Sequence, residues 1–360
     1  MAKSASDSSP YARLRRRLAP AGIVLVLVFA VVFPQQIGRD NVWNLFFLMG
    51  LGISIGQSWN MLGGFAGQTS LGHAAFFGIG ALLTRTLWFG GVPFAVSLIL
   101  GAVAALIFAM LIGAPTFRLH GAYFAIGTLA VAEVLRITIS QNRPLISTMS
   151  GKMISSYNLP QRYYLALGLA VITTAAAYLL LRSRWSLGIL GLREDEQAAQ
   201  ATGVHILRHK LLAFGLSALF MGLAGGVFAF QQISYYPAAA FAPTWTFDAM
   251  MIAYIGGVGT VAGPVLGGAF YIVVRERLAA NLTDVHQVIF GVLFILVVLL
   301  FPGGLLEIWE RLRRSVTRRT GLGVSGEEPV ARRWAPARLL RLRAAVVRAL
   351  TRRPPPGSAA

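Results

Sequence analysis

The sequence predicts an all-α, polytopic transmembrane helical bundle, and three observations predict it. Hydrophobic residues make up 56% of the 360-residue chain and charged residues only 12%, about half the roughly 25% charged share of soluble domains. Apolar runs such as Leu98–Ile112, Tyr163–Leu181 and Val288–Phe301, read with their flanks, supply the roughly 20 helical residues that cross a hydrocarbon core of about 30 Å. They lack the period-two alternation of a transmembrane barrel. The net charge of +19 sits mainly at the two ends: Ala12–Leu18 reads ARLRRRL, and Arg311–Arg353 holds thirteen arginines against two glutamates. Spread over a soluble domain such charge would suggest nucleic acid; placed here it is a topology signal, and no nucleic-acid partner is expected. Both termini are expected in the cytoplasm, with an even number of crossings.

Taken in order, the basic N-terminus covers residues 1–19 and the first span follows it, since no small-residue cleavage site marks a secretory leader. Candidate spans run near 20–38, 42–62, 70–90, 92–113, 121–140, 161–182, 211–233, 247–274 and 285–305. That odd number conflicts with the charge pattern. The segment 247–274 repairs it, because Gly256, Gly257, Gly259, Gly263 and Pro264 interrupt a helix there. As a re-entrant element returning to the outer side it leaves about eight full spans; a second break near Gly63–Gly67 would make ten crossings. The loops 34–41 and 234–245 then fall outside and 182–210 inside. The polar stretch 141–161, external despite Arg143 and Lys152, is expected to meet an outside partner. Gly52-x-x-x-Gly56, Gly222-x-x-x-Gly226 and Gly263-x-x-x-Gly267 allow close helix approach. The transmembrane body is 20–306, and the Arg-rich tail 307–360 is expected to be partly disordered and drawn to anionic lipid.

Several chemistries are excluded. There are no cysteines, hence no disulfide, iron–sulfur cluster or thiolate nucleophile. Gly52-Ile53-Ser54-Ile55-Gly56 matches a nucleophile elbow only in letters, since it lies mid-span. The histidines 73, 120, 205, 209 and 286 form no metal motif. Ser150-Gly151-Lys152 lacks the first glycine of a phosphate loop, where Ile146 stands. The chain is therefore read as no enzyme and as holding no cofactor; a separate ATPase or an ion gradient must supply any driving force.

Within the cytoplasmic loop, Arg193-Glu194-Asp195-Glu196 precedes Gln197-Ala198-Ala199-Gln200-Ala201-Thr202-Gly203, a helix-forming run stopped by glycine. An acidic patch beside a smooth alanine face suits a helix that lies in a groove of another protein. Ala198-Ala199-x-x-x-Gly203 resembles the coupling-helix motif of bacterial ABC importer permeases. In order, GQTSLGHAAFFGIGA, RLHGAYFAIGTLAVAEVLR, LGLREDEQAAQATGV, KLLAFGLSALFMGLAGGVFA, IGGVGTVAGPVLGG and FPGGL resemble the LivM-type permease subunits of branched-chain amino acid ABC importers. Gln197 stands where the general motif has glutamate. The resemblance implies a bacterial inner-membrane protein that works with a second related permease, two cytoplasmic ATPases that use ATP, and a periplasmic or lipid-anchored solute-binding protein. The solute would be a branched-chain amino acid or a related small solute: urea, an amide or a small organic acid. It implies an ATPase-coupling role for Arg193, Glu194, Asp195, Glu196, Ala198, Ala199 and Gly203.

Polar side chains at membrane depth face a protein interior or a water cavity. Gln57, Asn60, Gln68, Ser70, His73, Glu133, Arg136 and Asp248 are therefore the candidates for the translocation pathway or gate. For each of them a structural role is the competing reading: hydrogen bonds holding a broken helix, an intrahelical ion pair at Glu133 and Arg136, a helix cap at Asp248. Glu133 and Asp248 also keep open an ion-coupled secondary transporter of a small polar solute.

Overall fold

The computed structural model describes residues 28–142, 147–149, 157–281, 291–292 and 303–307. The helices are α1 Val28–Ile37, α2 Asp40–Trp59, α3 His73–Phe89, α4 Phe94–Thr116, α5 Ala122–Asn142, α6 Leu159–Arg182, α7 Ser186–Glu194, α8 Glu196–Ala201, α9 Ile206–Gln231, α10 Pro237–Ala240, α11 Thr244–Gly256 and α12 Ala262–Asn281. A single π-helical turn, Asn60–Phe65, continues α2. Two short strands, β1 Ser147–Thr148 and β2 Ser234–Tyr235, pair antiparallel.

The bundle corrects the expected number of crossings. Among the described residues only five helices are long and apolar enough to cross a membrane: Asp40–Phe65, Phe94–Thr116, Ala122–Asn142, Leu159–Arg182 and Ile206–Gln231. The expectation of about eight, or ten, fails for physical reasons. Helix α3 has 17 residues, about 25 Å at 1.5 Å per residue, and it carries Arg85. The segment 247–274, not counted among the eight, separates into α11 and α12, and the end of α12 is charged at Arg275, Glu276 and Arg277. Of the expected first span, residues 20–27 lie outside the described residues, and the described part holds the ten-residue α1. The basic segment 1–19, most of the expected span 285–305 and the tail beyond Glu307 lie outside the described residues, and with them the placement of the termini.

Helices α2 and α9 form the centre: 72% of the apolar stretch of each is buried, against 28% for α4, 17% for α5 and 33% for α6. The outer helices turn Ile99, Leu111, Ile126, Val134, Ile172 and Leu179 away from the protein, as helices solvated by lipid do. The inner seam packs Trp59, Phe65, Phe76, Phe77, Phe214 and Met221. Close approach of α3 and α9 depends on glycine: a Cβ at Gly80 would strike the backbone of Gly222, and one at Gly225 the carbonyl of Phe77. With no hydrophobic drive between helices in lipid, such contact and its dispersion energy hold the bundle together.

Turn chemistry sets the ends. Asn158 caps α6 by accepting from the Gln161 N–H at 3.3 Å, and Pro160 sits in the first turn, where its missing N–H costs nothing. Pro264 occupies the equivalent early position in α12.

Candidate functional site

The broken segment is a helical hairpin. Helices α11 and α12 run antiparallel, with Gly256 against Gly263 and Gly267 against Ile252, contacts in which any Cβ would meet backbone atoms. Gly257, at φ 129°, ends α11 in a conformation open to glycine. The loop Gly257–Val261 is then held from α2 and its π turn. Asn60 Oδ1 accepts from the Gly259 N–H at 2.8 Å while its Nδ2 donates to the Thr260 carbonyl at 2.9 Å. Gln57 Nε2 donates to the Val261 carbonyl at 3.2 Å, and its Oε1 is buried with no hydrogen-bond partner. Asn60 thus acts as a surrogate peptide unit for a loop that has left the helical hydrogen-bonding pattern.

The same loop meets the segment between α6 and α9. Arg193, at the end of α7, donates from Nη1 to the Gly64 carbonyl at 2.5 Å, and its guanidinium packs so close to Gly259 that a Cβ there would collide with it. Burial lowers the Arg193 pKa, opposed by Glu194 and Tyr254. Asp195 caps α8, its Oδ1 accepting from the N–H groups of Gln197 at 2.8 Å and Ala198 at 3.1 Å. Glu196 faces inward: Lys210 Nζ lies 2.6 Å from Oε1, and Gln68 Nε2 donates to the same oxygen at 2.8 Å. Helix α8 stops as its composition predicts. Val204 N–H bonds the Ala199 carbonyl and Gly203 N–H the Gln200 carbonyl, with Gly203 at φ 89°. Glu194, Gln197, Ala198 and Ala201 are exposed, whereas Ala199 is buried. A cleft of about 470 Å³ opens beside them, lined by Gln68 and Thr69, by Gly121 and Ala122 at the start of α5, and by Glu194 and Glu196.

The remaining candidates are dispersed. His73 Nε2 lies 2.7 Å from Ser217 Oγ, which itself donates to the Ser58 carbonyl at 2.8 Å. Ser58 returns a bond to the Ser217 carbonyl at 2.6 Å. This buried knot joins α2, α3 and α9. Ser70 is buried beside it; its carbonyl accepts from Trp59 Nε1 at 3.0 Å. Glu133 and Arg136 form an ion pair on one face of α5, both about one-third exposed. Asp248 is not a helix cap: Tyr271 Oη donates to it at 2.6 Å and Arg275 Nη1 lies 2.6 Å from its other oxygen, tying α11 to α12.

Three participants escaped the sequence reading. Lys210 carries no signal of its own until Glu196 is seen to face it. Leu187, 85% exposed on α7 beside α8, is an apolar side chain left uncovered. Arg85, on α3, is fully buried and makes five hydrogen bonds to Ser147, Ala229, Gln232 and Ile233; a lone arginine in an apolar run was the available clue.

A helical bundle with five described helices long and apolar enough to cross a membrane, and an interrupted hairpin whose tip is fastened to the loop before α9, has the architecture of a multi-pass membrane protein. Comparison with known proteins places it further. The family model described as "Branched-chain amino acid transport system / permease component" matches residues 41–298, and the chain belongs to that family. It is 29% identical over 319 residues to the high-affinity branched-chain amino acid transport system permease protein LivM of Escherichia coli (strain K12), covering 79% of this chain and 74% of that protein. To the probable branched-chain amino acid transport permease protein LivM of Methanocaldococcus jannaschii it is 22% identical over 322 residues, covering 74% and 93%. The probable LivH permease of the same organism is 24% identical over 297 residues, covering 75% and 91%. No solved structure matches the chain significantly. The protein is a multi-pass transport permease of the bacterial inner membrane; it is not an enzyme and, as in its family, binds no cofactor. Membership of this family leaves no support for the ion-coupled alternative.

Proposed function

We propose that the chain is the membrane-spanning permease subunit of an ABC importer, that its solute is a branched-chain amino acid or a close small relative, and that α7 and α8 form its coupling element. One observation carries the mechanical part: Arg193 bonds the interrupted end of α2 at Gly64 and abuts the hairpin tip at Gly259, while Gln68 and Lys210 converge on Glu196. A movement imposed on α7 and α8 by a cytoplasmic ATPase would thereby displace both breaks together. Partners of the kinds expected from the sequence are a second related permease, two such ATPases with their ATP, and an external solute-binding protein.

In this reading the transmembrane body 20–306 carries the pathway and the loop 182–210 the coupling. Gln57, with its unbonded Oε1, and the Glu133–Arg136 pair on the thinly covered α5 are the groups that meet the solute. Asn60, Gln68, Ser70, His73 and Asp248 hold the gate's parts in register, as do the breaks at Gly256, Gly257, Gly259, Gly263 and Pro264. Glu194, Ala198 and Leu187 face the ATPase; Asp195, Ala199 and Gly203 shape the element that presents them. The test is reconstitution with the ATPases and the binding protein, followed by uptake of labelled leucine, urea and a short amide. ATP-dependent leucine uptake supports the reading. Uptake that persists without ATPase, or that follows only an ion gradient, overturns it.

A further inference from the structure

At the end of the bundle away from α7 and α8, two arginines lie buried with no carboxylate beside them among the described residues. The ion pairs Arg136–Glu133, Lys210–Glu196 and Arg275–Asp248 involve neither. Arg85 is nonetheless satisfied: its five hydrogen bonds go to the last carbonyls of α9, to Ile233 and to Ser147, where a cation also suits the helix C-terminus.

Arg162 differs on each count. It is 4% exposed, and its Nε and Nη1 are buried with no hydrogen-bond partner. It sits in the first turn of the 24-residue α6, where the helix dipole disfavours a cation and favours an anion. Its guanidinium lies 3.7 Å from the Tyr157 ring centre and 4.3 Å from that of Phe230. Stacking of this kind covers the faces of the cation and leaves its in-plane Nε and Nη1 donors without a partner among the described residues. A buried charge persists when it is paired and hydrogen-bonded. The Tyr235 hydroxyl, on the strand pair at this end, is a second buried group without a partner.

We propose that Arg162 is a carboxylate-recognition site on the outward-facing end of the permease, engaged by an α-carboxylate of the arriving solute or by an acidic side chain of the protein that delivers it. The assignment rests on the importer reading only for which end faces outward. A carboxylate placed there would accept from the guanidinium edge, neutralise it and complement the α6 dipole.

The experiment compares the complete wild-type complex with Arg162→Met in lipid nanodiscs. In one arm, melting is followed in sodium acetate and in sodium chloride at equal pH and ionic strength, then in leucine and in leucinol, which lacks the carboxylate. A rise in Tm of about 2 °C or more with acetate and leucine, absent in Arg162→Met, assigns the site to the solute carboxylate. In the other arm, affinity for the solute-free binding protein is measured; a loss of about tenfold or more in Arg162→Met assigns it to a partner's acid. Arg162→Met should melt no lower than wild type, since it removes a charge with no counterion; if it fails to assemble, Arg162→Lys, which keeps the charge without the planar donors, carries the same comparison. Identical behaviour of variant and wild type in both arms overturns the proposal, as does stabilisation by inorganic phosphate but not acetate. Leucine uptake by the wild-type complex is the separate control: its absence counts against the importer reading, whereas intact uptake with an Arg162 indifferent to carboxylate removes only this assignment.

Discussion

Asn60 shows how one side chain substitutes for a missing piece of backbone pairing. Its two bonds to Gly259 and Thr260 replace what the interrupted helix lost, and a buried peptide group without a partner costs roughly 1–3 kcal/mol. Asn60→Ala should therefore destabilise the hairpin by about that amount, seen as faster amide exchange across 257–261 while α9 exchange stays unchanged. Asn60→Asp, which keeps the acceptor for Gly259 but loses the donor to Thr260, should fall between. Gly203 is a second residue with a single tolerated role: at φ 89° any Cβ is strained, so Gly203→Ala should cost about 1 kcal/mol, measured as a lower Tm of the assembled complex. The sequence marked both residues, Asn60 as a polar group in an apolar span and Gly203 as a helix stop. It told the whole role only for Gly203, because a helix stop is a local event and Asn60 bonds partners about 200 positions away along the chain.

At the scale of elements, α7 and α8 divide an acidic run that reads as uniform. Asp195 is consumed as a cap and Glu196 as the counterion of Lys210, leaving Glu194 outward. Glu194→Lys should leave melting within about 0.5 kcal/mol of wild type and reduce solute-stimulated ATPase activity by about tenfold, a loss equivalent to one weakened docking contact of ~1.4 kcal/mol. Glu196→Lys should do something else: with Lys210 only 2% exposed, it strands a buried cation at a cost of about 3–5 kcal/mol, and assembly itself should fall. Equal stability of the two variants, measured by melting in the same detergent, would remove this distinction. The α3–α9 seam makes a parallel point about packing. Gly225→Ala drives a methyl into the Phe77 carbonyl, an overpacking of about 1–3 kcal/mol, which the fraction of correctly assembled complex on size exclusion should report. Small residues at regular spacing announced that helices approach closely; which helix approaches which was not in the spacing.

Across the whole molecule, Arg193 links α7 directly to the π turn at Gly64 and to the hairpin tip at Gly259. Arg193→Met should retain ATPase co-purification, because Glu194, Ala198 and Leu187 remain exposed, yet lower uptake by about tenfold or more; loss of both together would place Arg193 in docking instead. Leu187→Asp should give the converse, a complex that loses its ATPases on purification while the permease melts normally. Composition and six ordered motif blocks were enough by themselves to determine a helical membrane permease of this family, and local chemistry determined where α8 stops and where the segment near Gly257 breaks. These are properties of neighbouring residues and of partition between water and lipid, which a linear chain displays directly. Only the tertiary structure decided that five described helices are long and apolar enough to cross, that Gln68 bonds Glu196 at the start of α8, that His73 locks into a serine pair, and that Arg162 keeps open donors where Arg85 has none. The physical reason shared by the last three is that a polar group in apolar surroundings gains by finding a partner, but which partner is within reach depends on which helices the fold brings together.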